Sequence, residues 1–121
     1  MKVMVLVKAP PETETDNTWA NAAQERAARD AMDNFNDELV KAGIRLAVGG
    51  LHSSSAGARI EFNGNKVSVI EGSSTEAKEL VIGFWIWQVR SMEEAVAWAK
   101  RCPSPLGGDL AVLELRPIHG D

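Results

Sequence analysis

Val81-Ile82-Gly83-Phe84-Trp85-Ile86-Trp87-Gln88-Val89 runs directly into Arg90-Ser91-Met92-Glu93-Glu94-Ala95-Val96-Ala97-Trp98-Ala99. The first nine residues are β-branched and aromatic, with apolar side chains at both odd and even positions, which is the pattern of a central strand covered on two faces. The second stretch changes period. Ser91 followed three residues later by Glu94 fits a capping box, with Ser91 as N-cap and Glu94 reaching back, and opens a helix through Ala95, Val96, Trp98 and Ala99. Pro103 and Pro105 end that helix.

The same two-sided pattern occurs at the start of the chain. In residues 2–8, Val3, Val5 and Val7 point one way while Met4 and Leu6 point the other, so this too reads as a central strand. Pro10 and Pro11 stop it, and a polar loop over residues 12–17 follows. Over residues 19–42, Ala28, Met32, Phe35, Leu39 and Ala42 recur at spacings of four, three, four and three, the stripe of an amphipathic helix. Gly43 stands where a left-handed residue closes a helix. Ile44, Leu46 and Val48 form the next strand and lead into a small-residue corner, Gly49-Gly50-Leu51-His52. Residues 58–62 and 66–70 are β-like runs joined by Asn63-Gly64-Asn65, a strong hairpin signal. Glu71-Gly72-Ser73-Ser74 closes the hairpin, and the hydroxyls are placed to cap a short helix over residues 75–80. A last strand spans residues 110–115.

The order β-α-β-(β-hairpin)-β-α-β predicts an α+β, ferredoxin-like fold with an antiparallel sheet. In such a fold two helices cover one face of the sheet, yet the central strands carry apolar residues for both. A homodimer in which two sheets meet face to face, a dimeric α/β barrel, hides the second face and shapes a shared cavity.

With 121 residues, 45% of them apolar and 25% charged, the chain predicts one soluble globular domain over residues 1–121. A domain of this size buries roughly two thirds of its unfolded surface, and a deep cleft calls for a second chain. Thirteen basic against 17 acidic residues give a net charge of −4, which opposes direct nucleic-acid binding. No apolar run approaches the roughly 18–20 residues of a membrane span, and the charged, short N-terminus is no signal peptide. Cys102, the one cysteine, forms no intrachain disulfide, and with two distant histidines it makes too small a set for a metal site. The expectation is a cytoplasmic protein with neither metal nor cofactor.

Several positions carry candidate chemistry. His52 lies at the strand end beside two glycines, where an imidazole suits general acid or base work. Glu71 precedes a glycine turn, with Lys78 and Glu79 close behind, so a carboxylate and an ammonium can bind a polar ligand or exchange a proton; a solvated ion pair is the alternative. Ser73 and Ser74 offer hydroxyls and free amides to an anion, or serve only as caps. Trp85 and Trp87 share one face of their strand and Phe84 and Ile86 the other. One pair packs beneath the helices. Area and a single N–H donor make the two indoles candidates for a ligand cavity, with core packing as the alternative. Cys102 reads as structural.

The stretch from Gly83 to Pro103, followed by Glu114-Leu115-Arg116-Pro117-Ile118, resembles the C-terminal half of YCII-related proteins of the DGPF type. The blocks around residues 39–43, Gly50-Leu51, the hairpin and Glu76-Ala77-Lys78-Glu79 extend the resemblance over nearly the whole chain. It implies the dimeric α/β barrel and a bacterial, cytoplasmic protein of a family with unsettled biochemical function. Some members are encoded beside sigma factors of the extracytoplasmic-function class. Where the family has Asp-Gly-Pro-Phe, this chain has Glu71-Gly72-Ser73-Ser74, which implies a more polar cavity there. The histidine–aspartate dyad suggested for more distant YCII proteins does not transfer, because the first helix contains no histidine. Two readings stand: a dimer that binds a small, partly apolar molecule as an accessory to sigma-factor signalling, or a cofactor-free isomerase- or oxygenase-like enzyme with Glu71 or His52 as general acid or base.

Overall fold

A computed structural model describes residues 1–14, 22–72, 78–105 and 111–120. Its elements are β1 (Lys2–Ala9), α1 (Ala22–Lys41), β2 (Arg45–Gly50), β3 (Ala58–Asn63), β4 (Lys66–Glu71), β5 (Leu80–Gln88), α2 (Met92–Ala99) and β6 (Val112–Pro117), with 3₁₀ turns at Pro11–Glu14 and Ser54–Ala56. Four strands form one antiparallel sheet in the order β2-β5-β1-β6, and among the described residues β3 pairs only with β4. This is the ferredoxin-like arrangement, with the two-sided strands β1 and β5 at its centre.

Strand pairing fixes the two faces. Val3 opposes Trp87 and Pro117, Val5 opposes Trp85 and Leu115, and Val7 opposes Gly83 and Leu113, so these residues share the helix-covered face. Val3, Val5, Trp85 and Trp87 are buried there. Phe35 of α1 is the hub of this layer. Its ring lies 5.9 Å from Trp85, 6.3 Å from Trp87 and 6.5 Å from Trp98, tying α1 to β5 and α2 through edge-on and tilted contacts of about 0.5–1.5 kcal/mol each. Leu39, one turn on, is fully buried. The opposite face presents Met4, Leu6, Phe84 and Ile86 at its centre, and neither α1 nor α2 covers it.

Helix ends follow their local chemistry. Gly43 has φ +71°, and the amides of Gly43 and Ile44 donate back to the carbonyls of Val40 and Leu39, the paired bonds of a Schellman close. At α2 the Ser91 Oγ accepts from the Glu94 amide at 3.1 Å, as its position predicts. The Glu94 carboxylate reaches one residue further back than a capping box requires: it accepts from the Arg90 amide at 2.9 Å and from the Arg90 guanidinium at 2.9 and 2.7 Å.

Four expectations change. Gly49 and Gly50 belong to β2 rather than to a turn, pairing with Phe84 and Gly83. A Cβ at Gly49 would stand 2.7 Å from the Phe84 ring, so glycine here makes room for a neighbouring side chain. Lys78 and Glu79 are not helical, and β5 already begins at Leu80; residues 73–77, the rest of the expected short helix, lie outside the described residues. The last strand is Val112–Pro117, displaced toward the C-terminus, and Pro117 is tolerated because β6 is a sheet edge. In the hairpin, Asn63 pairs with Lys66, leaving Gly64-Asn65 as the loop, and Gly64 at φ +61° occupies the first loop position as a II′ turn demands.

Candidate functional site

A cleft of about 210 Å³ opens between α1 and the end of the sheet where β2 and β5 meet. Its composition follows from a fault in the ladder. Val7 pairs with Gly83 and Lys8 with Val81, so Ile82 is an extra residue on β5, and its carbonyl accepts instead from the Leu51 amide at 3.0 Å. Bulges of this kind re-aim a side chain, and Ile82 lines the cleft with Val7 and Val48. Gly50 and Gly83 face each other across β2 and β5 and keep this end of the sheet low.

From α1, Met32 and Asn36 stand one turn apart and form the opposite wall. Asn36 supplies a fixed polar point. Its Oδ1 accepts from Trp85 Nε1 at 2.8 Å, and its Nδ2 donates to the Met32 carbonyl at 3.1 Å. With the indole pinned, Trp85 borders the cleft at a fixed angle. Pro105 closes the rim and, with Met32, also borders a second hollow of about 240 Å³ lined by Glu25, Arg29 and Asp33. Glu25 and Arg29 pair there at 3.0 Å. The two hollows share Met32 and Pro105, so a charged hollow lies beside the apolar cleft.

The structure distributes the residues singled out from sequence widely. Trp85 is at the cleft. Trp87 is not: it is 0% exposed in the core between sheet and helices, and its Nε1 has no hydrogen-bond partner among the described residues. Both indoles lie on the helix side, so Phe84 and Ile86, not the tryptophans, face the open side of the sheet where a cavity between two sheets would form. His52 is exposed just beyond β2, Glu71 is exposed at the base of the hairpin, and Lys78 is exposed before β5; none of the three lines the cleft. Ser73 and Ser74 lie outside the described residues. Cys102 donates to the Pro103 carbonyl, and burial pushes its thiol up to about 11, away from nucleophilic chemistry.

Two features escape sequence reasoning. Asn36 reads as an ordinary polar helix residue, and only its contact with Trp85, 49 residues away, gives it a role. On the open face, Lys8 of β1 bonds Glu114 of β6 at 3.1 Å, and Arg116 lies 3.4 Å from the same carboxylate. The Lys8 ammonium first, and Arg116 after it, hold the Glu114 carboxyl below its usual range. Among the described residues no three His, Cys, Asp or Glu side chains gather as a metal site, and no helix is long and apolar enough to cross a membrane.

An antiparallel β2-β5-β1-β6 sheet under two helices, interrupted by a hairpin and notched by a bulge, defines the class as ferredoxin-like α+β. Within it the chain belongs to the YCII-related family, whose model, described as a YCII-related domain, matches residues 1–119. The chain is also similar to an uncharacterized protein of Rhizobium meliloti (strain 1021), 27% identical over 102 residues, 84% of this chain and 81% of that protein.

Proposed function

We propose that this protein is a homodimeric binder of a small, mainly apolar molecule with one polar end, held in the cleft between α1 and the β2–β5 end of the sheet. The observation that carries the reading is the bulge-built cleft itself, with Trp85 fixed at its side by Asn36. Its volume lies below the roughly 300–1,000 Å³ of sites for drug-sized ligands, so the occupant is small. Apolar contact with Val7, Val48 and Ile82 supplies affinity, and the charged approach over Glu25, Arg29 and Asp33 orients the polar end. Association through the uncovered sheet face is supported by the row Met4, Leu6, Phe84 and Ile86, which would otherwise stay in contact with water. A cytoplasmic accessory in sigma-factor signalling, the setting the resemblance implies, fits a protein that reports a metabolite by binding it. The acid–base alternative has less support, because His52 and Glu71 are exposed and apart from the cleft.

The test is thermal unfolding with p-cresol and hexanoate as probes, in the wild type and in Val48→Trp. Val48 is half exposed at the rim, so the larger ring fills the cleft without disturbing the core. Binding to the native state raises the melting temperature by mass action, about 2.7 kcal/mol at a hundredfold excess over Kd. The wild type gains this stabilisation from at least one probe and Val48→Trp loses it. Equal shifts in both proteins, or no shift with either probe, would overturn the proposal.

A further inference from the structure

The hairpin β3–β4 takes no part in the four-stranded sheet, the core or the cleft. Its register pairs Ile60 with Val69 and Phe62 with Val67, so these four side chains share one face. Arg59, Glu61, Asn63, Lys66 and Ser68 fall on the other, together with Ile70 opposite Arg59, and Ala58 and Glu71 end the apolar face at the base. Every residue of both strands is exposed, the apolar face included, with Phe62 at 77%, Val69 at 68%, Val67 at 60% and Ile60 at 50%. A two-stranded hairpin is marginal in water by itself, and one with an uncovered apolar face and two open edges is a site of association. Its β-branched and aromatic residues stand on a face that none of the described residues covers.

Charge bears on what covers it. The hairpin carries Arg59 and Lys66 against Glu61 and Glu71, so it is neutral and offers no basic stripe to a phosphate backbone or an anionic membrane. The same chain holds a second apolar surface, the half-buried sheet face that neither helix covers, which a twofold partner would supply in reciprocal position.

We infer that β3–β4 is an exchanged arm, whose Ile60-Phe62-Val67-Val69 face seats on a second copy of this chain. The inference rests on the homodimer proposed above and adds a second, separable contact to it. Two strands of six residues reach about 20 Å, roughly the width of a four-stranded sheet, so the arm is long enough to span a partner.

Sedimentation velocity across the micromolar range separates the two contacts. The full chain is compared with an arm variant, Phe62→Glu with Val69→Glu, and a sheet variant, Phe84→Glu. The wild type sediments as a dimer, and the arm variant associates about a hundredfold more weakly, with the near-ultraviolet circular dichroism of its tryptophans unchanged. All four tryptophans lie outside the hairpin, so an unchanged signal shows that the rest of the fold survives the arm substitutions. Independently, Phe62→Trp adds emission that shifts to the blue on association and to the red on dilution. An arm variant with the wild-type dissociation constant, or a Phe62→Trp emission spectrum indifferent to concentration, overturns the arm while leaving the sheet contact to stand if Phe84→Glu dissociates the dimer. A wild type that stays monomeric overturns both.

Discussion

Trp85 and Trp87 stand two residues apart on one face of β5, and their indole nitrogens have opposite fates. Trp85 Nε1 donates to Asn36, whereas Trp87 Nε1 is buried without a partner among the described residues. Replacing either with Phe removes similar volume, but the consequences for hydrogen bonding differ. Trp85→Phe strands the Asn36 carbonyl; Trp87→Phe deletes a donor that was already unsatisfied. The expected outcome is that Trp85→Phe costs about 1–3 kcal/mol more than Trp87→Phe, read from urea midpoints at equal m-value. Cys102 supplies a second residue-level expectation. With burial raising its thiol to about 11, alkylation by iodoacetamide near neutral pH runs about a hundredfold slower in the native protein than in urea, and the native rate climbs as pH approaches that value. At Gly49 the neighbour is the Phe84 ring, so Gly49→Ala costs about 1–3 kcal/mol by overpacking, and the smaller side chain of Phe84→Leu in the same protein restores part of the loss.

At the scale of elements, α2 has eight residues and depends on its start. Ser91→Ala removes the cap and lowers stability by about 1 kcal/mol, measurable by denaturant unfolding. Glu94 is held below the usual carboxylate range by the Arg90 amide first and its guanidinium next, and Glu114 is lowered in the same sense by Lys8. A depressed folded pKa means that these carboxylates stabilise the protein fully above about pH 5 and lose that contribution as pH falls through their folded values. Both lie half-buried at the surface within reach of solvent, so the effect is small, but its sign is definite: Glu94→Gln with Glu114→Gln lowers stability near neutrality and flattens the acid limb of the urea midpoint against pH. The strands and helices that obey a clear period were legible in sequence, from β1 and α1 through the hairpin to the Ser91 cap. What failed was whatever a neighbour decides. Gly49-Gly50 reads as a corner, but the Phe84 ring beside it makes it part of a strand. Nor could sequence choose which face of β5 meets the helices, since both faces are apolar. The cleft was illegible for a further reason: its walls come from β1, α1, β2 and β5, and the bulge at Ile82 that opens it is visible only in the register with β1.

For the molecule as a whole, the helices shield one face of the sheet and leave Met4, Leu6, Phe84 and Ile86 half-buried on the other, while the hairpin adds four exposed apolar side chains. A chain of this size has little stability in reserve against so much apolar surface in water, so folding and association of the proposed dimer are linked. Linkage has a direct signature. Anything that binds the native state raises the midpoint of unfolding, and when the ligand is a second copy the melting temperature climbs with total protein concentration. Calorimetry over a concentration series checks this: the wild type melts progressively higher, while Phe84→Glu on the sheet and Phe62→Glu on the hairpin each give a lower midpoint that depends less on concentration. The cleft lies apart from the hairpin, so its probes raise the melting temperature of Phe62→Glu as well as that of the wild type. A wild-type midpoint independent of concentration would show that the monomer tolerates both apolar surfaces in water, and association would then have no part in its stability.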